Sequence, residues 1–536
     1  MRRWNGWGDD TIALVLNPHT LAFLRERIGA GTPPRDATLE EACRTLPASR
    51  LAPHRLLDTA PETRLRHALG QSLPDWLKLR YGRIGAAPDA IAFPESGAQV
   101  RALLDYAKQC GAVLIPYGGG TSVAGHLSVP RGDAPVLTVS LARLSNLIDL
   151  DRTTQLATFG AGIAGPDLEA QLRAQGYTLG HFPQSFEYAT LGGWIATRSS
   201  GQQSLRYGRI EQLFAGGTLE TPRGTLRMPA FPASAAGIDL REMVLGSEGR
   251  IGILTEATVR ISPLPQRESF HAVFFPDWEQ AEQAARALVQ AKLPLSMLRL
   301  SNPVETLTTL TLAGHETLIG LLERYLGWRG CRSSKCLLLL GASGRNAAVA
   351  NTLRDAVRIT RQYRGVHIGR AIGEKWKQNR FRNVYLRNAL WQHGYAIDTV
   401  ETAVDWPRVR GMMQAIEQAA AAAMAASGER LHGYTHLSHF YAQGASVYST
   451  FVYRLAGNYE EDLARWRALK HAASQAIVDH SGTISHQHGV GTDHAAYLPA
   501  EKGPLGIGAM RALCRHFDPY GMMNPGKLLP AESEGG

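Results

Sequence analysis

PYGGGTSVAG, residues Pro116 to Gly125, places four glycines, a threonine and a serine within ten positions. Glycine permits positive φ and carries no Cβ, so such a run marks backbone that another group approaches closely. Upstream, AIAFP reads as a short strand. SGAQVRALLDYAKQCG reads as a helix: Ser96 and Gln99 have capping-box spacing, Val100, Leu103, Leu104 and Ala107 give the 3.6-residue period, and Gly111 sits where a C-cap belongs. AVLIP is a buried-type strand that leads into the glycine loop, and TSVAGHLSVPRGDAPVLTVSL then runs toward another strand. A dinucleotide fingerprint needs a strand, G-x-G-x-x-G and an opening helix, and a P-loop needs G-K-[ST]; neither spacing is present. A phosphate held here would sit in a nest of backbone N–H groups. Taken alone, the loop reads better as a glycine-rich turn without a ligand.

Two further glycine clusters change that balance. PQSFEYATLGGWIATRSSGQQSLRYGRIEQL (Pro183–Leu213) carries a glycine pair and then Thr197, Ser199, Ser200 and Gly201. LGSEGRIGILTEATVRI (Leu245–Ile261) carries a third cluster before an alternating strand. Three such loops within about 150 residues of α/β pattern suggest several backbone approaches to one extended ligand.

Bulk properties set the limits. A chain of 536 residues is too long for one ordinary core. Hydrophobic residues at 44% with 19% charged are an ordinary globular composition. The longest apolar stretch, GMMQAIEQAAAAAMAASGER, is broken by Glu417 and Gln418 and falls short of the ~18 apolar residues of a membrane span. MRRWNGWGDD has no apolar run behind its arginines, so no signal peptide is expected. Five cysteines, few and odd in number, fit a reducing compartment; the cytoplasm is expected, and Cys331 and Cys336 read as an incidental pair. Residues 1–86 read as helical and loop-rich. The net charge of +10 favours an anionic partner. The densest basic cluster, KWKQNRFRNVYLR from Lys375 to Arg387, has aromatics between its charges, as in nucleic-acid binders, and reads equally well as a solvated helix face.

PYGGGTSV, LGGWIATRSSG and GSEGRIGILTEA together resemble the flavin-binding domain of the vanillyl-alcohol-oxidase superfamily, the FAD-linked oxidases. RWNGWG (Arg3–Gly8), GHFPQS (Gly180–Ser185), RYGRIE (Arg206–Glu211), YLR (Tyr385–Arg387), SHQHGVG (Ser485–Gly491) and FDPYGMMNPGKLL extend the resemblance nearly end to end, toward the alkyldihydroxyacetonephosphate synthase family. The resemblance implies an α+β fold. A two-lobed FAD-binding domain of the PCMH type would span residues 87–268, after an N-terminal helical region at 1–86. A cap of antiparallel sheet plus helices would span 269–505 and cover the isoalloxazine ring, and residues 506–536 would return to the FAD domain. FAD would be held non-covalently, although His126 and His181 lie near enough to the flavin motifs to keep covalent attachment open. Pro116, Tyr117, Gly118, Gly119, Gly120, Thr121 and Ser122 would line it from the first loop. Gln184, Ser185, Thr190, Gly192, Gly193, Thr197, Arg198, Ser199 and Ser200 would do so from the second, and Glu248, Gly249, Gly252 and Ile253 from the third.

The remaining motifs carry chemistry. TISHQHGVG sets His486 and His488 two apart, and in a strand-like segment both face one side. Imidazole, with a reference pKa of about 6.5, exchanges protons near neutrality. His494 is near, but no Cys, Asp or Glu completes a ligand spacing, so no metal is expected; a structural histidine pair is the other reading. The family carries three consecutive histidines here, whereas this chain has His486-Gln487-His488, and glutamine takes no proton at neutral pH. FAD-linked 2-hydroxy-acid dehydrogenases carry Gly-Glu-His-Gly, so His488 matches their histidine as well. Tyr448, in GASVYSTFVYR, aligns with the family's catalytic tyrosine; by itself, among Val447, Phe451 and Tyr453, it reads as core. Arg387 aligns with a substrate-contacting arginine and Arg299 with one needed for activity; each otherwise reads as an ion-pair partner. Guanidinium offers a planar fork to phosphate or carboxylate.

The implied reaction exchanges the acyl group of acyl-dihydroxyacetone phosphate for a fatty alcohol through a flavin N5 adduct, a transfer in ether lipid synthesis without net redox. Tyr448, His486 and His488 would move protons and Arg387 would hold the anionic head. The alternative is FAD-linked oxidation of a 2-hydroxy acid or alcohol. The resemblance also implies an anionic small-molecule or lipid substrate, peripheral membrane contact and a homodimer, and turns the basic cluster away from nucleic acid.

Overall fold

The helix that follows AIAFP runs Gly97–Cys110 in the computed structural model, which describes residues 1–130, 132–312 and 316–531. Ser96 Oγ accepts the Gln99 N–H, and Gly111 closes the helix at φ +66°. The Gln99 side chain, however, accepts from the N–H of Glu95 rather than of Ser96, so only half of the capping box forms. The apolar stripe Val100, Leu103, Leu104 and Ala107 packs against the buried strands Ala90–Ala92, Val136–Ser140 and Val113–Tyr117, which pair in parallel. A two-residue strand, Leu57–Asp58, joins the edge antiparallel from upstream of residue 87.

The second lobe is a five-stranded antiparallel sheet in the order Leu147–Asp151, Leu156–Gly160, Ile253–Arg260, Phe214–Thr221, Gly224–Met228. Its core gathers Phe159, Trp194, Ile195 and Phe214. Topology brings the three glycine loops together: the first leaves the C-terminal end of Val113–Tyr117, the second opens the helix Leu191–Ala196, and the third enters Ile253–Arg260.

The cap is a seven-stranded antiparallel sheet in the order Val366–His367, Arg267–Phe275, Cys336–Gly344, Met297–Ser301, His432–Phe440, Gly444–Arg454, Tyr395–Asp405. Cys336–Gly344 is buried throughout, which is why CLLLLGASG is a continuous apolar run rather than an alternating one. Helices Trp278–Gln290, Asn346–Gln362, Val409–Ala426 and Tyr459–Asp479 supply the largest core. The alanine-rich stretch is therefore a packed cap helix, and no described helix is long and apolar enough to cross a membrane.

Both ends of the chain tie these parts together. Trp7 is buried in the cap core, where Asn388 Nδ2 donates to its carbonyl at 2.8 Å. Near the other end, the Leu114 N–H donates to Met522 O and the Asn524 N–H to Leu114 O, both at 2.8 Å, which fixes the tail on the first lobe. The architecture is α+β, with two small lobes facing a large antiparallel cap.

Candidate active site

A cavity of about 970 Å³ lies where the two lobes meet the cap. The first glycine loop forms one wall. The N–H groups of Gly118 through Val123 donate to no group among the described residues, and all six residues line the cavity, so the loop offers a nest suited to an anion. An ideal Cβ on Gly119 would overlap the Tyr188 carbonyl oxygen, and one on Gly249 would press on the Pro116 ring. Glycine is needed here because the loops pack on one another, which turns their polar edges toward the cavity. A long cradle of free N–H groups with an apolar floor fits a flavin dinucleotide.

Of the cradle residues expected from sequence, Pro116–Ser122, Gln184, Ser185, Thr190, Gly192, Gly193, Thr197, Ser199, Glu248, Gly249 and Gly252 line the cavity. Three do not. Arg198, at φ +52°, turns away to Glu242 and the Leu245 carbonyl. Ser200 Oγ lies 3.1 Å from His439 Nδ1, and Ile253 is packed in the first lobe's core. Arg198 and Ser200 lie in the turn and loop that follow helix Leu191–Ala196, and Ile253 opens the strand Ile253–Arg260; each side chain packs behind the wall that its neighbours form. His126 lines the cavity, with Nδ1 2.6 Å from Ser122 Oγ and Nε2 3.1 Å from Glu248 Oε1. His181 does not; it is buried beside Ser199 and Trp194, and burial depresses its pKa to about 3.

The cap supplies the opposite wall. In strand register Tyr448 lies between Glu401 and His436. Its ring stacks on His436 at 4.7 Å and meets the His488 ring edge-on at 5.9 Å, and its hydroxyl donates to Thr399 Oγ1 at 3.3 Å. Burial pushes the phenol well above its ordinary range, so at neutral pH Tyr448 holds its proton and meets substrate as a donor. Arg299 donates to Glu305 Oε1 at 2.6 Å, with His436 Nδ1 3.0 Å from the same oxygen. Burial opposes ionisation of Glu305, but His436 and Arg299 outweigh it and lower its pKa to about 2.

Arg387 differs from Arg299. Its Cζ sits 4.3 Å over the Trp76 ring and Nη1 donates to the Gln71 carbonyl, while Nε and Nη2 are buried without partners. It pairs with no carboxylate among the described residues, and burial lowers its pKa only to about 10, so the cation persists. A desolvated, unpaired guanidinium on a cavity wall is costly unless an anion joins it.

TISHQHGVG forms no strand. Its loop sends His486 and His488 to different places. His488 lines the cavity, and burial keeps its imidazole neutral by lowering its pKa. His486 lies behind the wall: Nε2 is 2.7 Å from both Arg209 Nη1 and Tyr441 Oη, and Nδ1 is 3.1 Å from Glu401 Oε1. Gln487 lines the cavity and donates to Glu401 Oε2 at 2.7 Å. Sequence reading gave no role to Glu401, Arg209, Glu305 or Trp76; Arg209 lies within RYGRIE, but no local motif marks the other three.

The basic cluster also reads differently in three dimensions. Arg380 is buried between Phe182 and Phe381, at 4.6 and 4.8 Å from the ring centroids, Lys377 pairs with Glu268 at 2.9 Å, and Lys375 and Trp376 border the cavity. Part of the cluster faces the site, while Lys375, Gln378 and Arg382 remain exposed to solvent. From there an apolar arm extends through Leu310, Ile319, Leu322, Leu337, Leu339 and Ile372.

Two family models match: "FAD binding domain" over residues 88–228 and "FAD linked oxidases, C-terminal domain" over 264–528. The chain is 31% identical over 478 residues to an alkyldihydroxyacetonephosphate synthase from Dictyostelium discoideum, covering 88% of this chain and 78% of that protein. It is 27% identical to the protein of the same name from Trypanosoma brucei brucei, covering 99% and 92%. A solved structure of an alkyldihydroxyacetonephosphate synthase superposes with a TM-score of 0.83 at 26% identity, covering 98% of each chain.

Proposed function

This chain belongs to the alkyldihydroxyacetonephosphate synthase family of FAD-linked oxidases, and as an FAD-dependent enzyme of that family we propose that it exchanges the acyl group of acyl-dihydroxyacetone phosphate for a fatty alcohol. The observation that carries this reading is the union, in one cavity, of an unpaired buried guanidinium with a long apolar arm. A small 2-hydroxy acid would use the first and leave the second empty; a phosphate headed by Arg387 with its chain along Leu310, Leu322 and Leu339 uses both.

Bound FAD supplies the reactive centre; residues 87–268 would hold it, with the free N–H groups of Gly118–Val123 on the pyrophosphate. Arg387 binds the phosphate. Tyr448, which keeps its proton, donates a hydrogen bond to the departing carboxylate, and neutral His488 takes the proton released by the alcohol. The bond between C1 and the ester oxygen breaks, the acyl group leaves with that oxygen as a fatty carboxylate, the alcohol oxygen bonds to C1, and no electrons are gained or lost overall. The buried walls keep water from competing with the alcohol.

Helix Glu316–Trp328 borders the apolar arm through Leu318, Ile319 and Leu322; Leu318 stays 65% exposed at the arm's edge, and Leu321 (57%) and Trp328 (81%) are exposed away from it. Exposed Arg324, Arg329 and Arg332 flank these residues. We assign this face to peripheral contact with an anionic lipid surface in the cytoplasm, from which the substrates would enter.

The test is anaerobic holoenzyme with acyl-dihydroxyacetone phosphate and labelled fatty alcohol. Ether product without an electron acceptor is expected. Flavin reduction by 2-hydroxy acids, acceptor-dependent turnover and no ether product would replace this reading with the oxidoreductase one.

A further inference from the structure

Glu401, on Tyr395–Asp405, has a side chain with no exposure at all, yet it faces a cluster of donors. Ser438 Oγ donates to Oε1 at 3.1 Å and Gln487 Nε2 to Oε2 at 2.7 Å, and His486 Nδ1 lies 3.1 Å from Oε1. The direction of this network is fixed from outside. Arg209 can only donate, so His486 Nε2 must be its acceptor; the ring proton therefore sits on Nδ1, toward Glu401. Glu401, His439 and His486 bring ligand atoms within 4.8 Å of one another, but this tautomer leaves His486 no lone pair there for a metal. Burial favours the neutral acid, and the N–H groups of the histidines that face Glu401, His486 first, outweigh it and hold the carboxyl below its usual range. An ionised carboxylate accepts only, so the NH₂ end of Gln487 must face Glu401 and the carbonyl Oε1 is left for the cavity, beside Tyr448 and His488.

We propose that Gln487 binds the incoming alcohol, accepting the hydrogen bond of its hydroxyl through Oε1, and that Glu401 is the positioning residue that holds the amide in that orientation. The inference rests on the reaction proposed above. A fixed carbonyl oxygen attracts an O–H and repels a carboxylate. The two long-chain species that pass this wall are an alcohol entering and a fatty acid leaving, and they differ in that respect. A histidine at this position offers either a donor or an acceptor as it titrates; Gln487 offers the acceptor at every pH, so it sorts the two species without moving a proton.

The experiment uses the FAD-loaded full chain and the variants Gln487→Met, Gln487→His and Glu401→Gln. Two readouts are taken: the change in the visible flavin band on anaerobic addition of acyl-dihydroxyacetone phosphate alone, and the steady-state constants for hexadecanol with palmitate as inhibitor. In Gln487→Met the spectral response to the acyl substrate should be preserved. The alcohol KM should rise about tenfold, the scale of one lost hydrogen bond, with kcat nearly unchanged. Palmitate should inhibit more strongly than in wild type, because the repelling oxygen is gone. Glu401→Gln should raise the alcohol KM as well, with no further rise in the double variant; if it fails to fold, Gln487→Met decides alone. Gln487→His should make the alcohol KM pH-dependent between about pH 5 and 8. Ether formation by wild type with an unchanged alcohol KM in Gln487→Met overturns this inference and leaves the proposed function standing. Absence of ether product from wild type overturns both.

Discussion

At the scale of single residues, burial decides which charge states the site can use. Tyr448 is buried on the cavity wall, and its hydroxyl makes one long bond, to Thr399. Tyr448→Phe should leave the thermal midpoint nearly unchanged and cut turnover by ~10²–10⁴; turnover at the wild-type rate would return Tyr448 to a packing role. Arg387→Lys keeps the charge but loses the planar stack on Trp76 and the fork. Flavin content should be unaffected while the KM for the acyl substrate rises at least tenfold; an unchanged KM would move the phosphate elsewhere. Glu305 gives a pH signature. Its folded pKa of about 2 lies below the ordinary 4.5, so its ionised form favours the fold above pH 4.5, and that contribution is lost as pH falls from 4.5 through 2. Glu305→Gln should be less stable than wild type at pH 7 and lose less on acidification. Parallel thermal midpoints from pH 7 to pH 3 would contradict the pairing with Arg299. None of these charge states was legible in the sequence. Gln71 is 316 residues from Arg387, Arg209 is 277 from His486, and Glu401 is 86 from Gln487, distances over which no spacing rule operates.

At the scale of elements, local pattern was a good guide where a period or a cap existed. Helix Gly97–Cys110 and the strand before the glycine loop were readable because amphipathic spacing, Ser96 and Gly111 all agree. TISHQHGVG was misread as strand-like because a short loop with two glycines has no period to read. The glycine loop lies between these cases: its composition announces a close approach, but the approaching group is the Tyr188–Ala189 backbone. Gly119→Val therefore pushes the first and second loops apart. The expected outcome is folded protein with a lowered thermal midpoint and no retained FAD, read as the 450 to 280 nm absorbance ratio after gel filtration. Stoichiometric FAD in that variant would show that the loop contact does not shape the cradle.

At the scale of the whole molecule, the cavity exists only because two lobes, a cap and both chain ends close around it, so its arm opens beside an exposed apolar helix. Leu321→Asp with Trp328→Asp should abolish co-sedimentation with vesicles containing phosphatidylserine and leave FAD content intact, since neither residue lines the cavity. Undiminished sedimentation would place the lipid contact on another face. The sequence by itself determined the α/β order of the first lobe, the three glycine loops and the family, because these rest on short-range periodicity and on backbone constraints that few residue types satisfy. Tertiary structure alone decided that His486 stands behind the wall, that Arg387 pairs with no carboxylate among the described residues while Arg299 pairs with Glu305, and that Gln487 donates to Glu401. Those facts depend on which distant strands become neighbours and how far each side chain is removed from water, and desolvation and pairing are properties of the packed chain rather than of any segment of it.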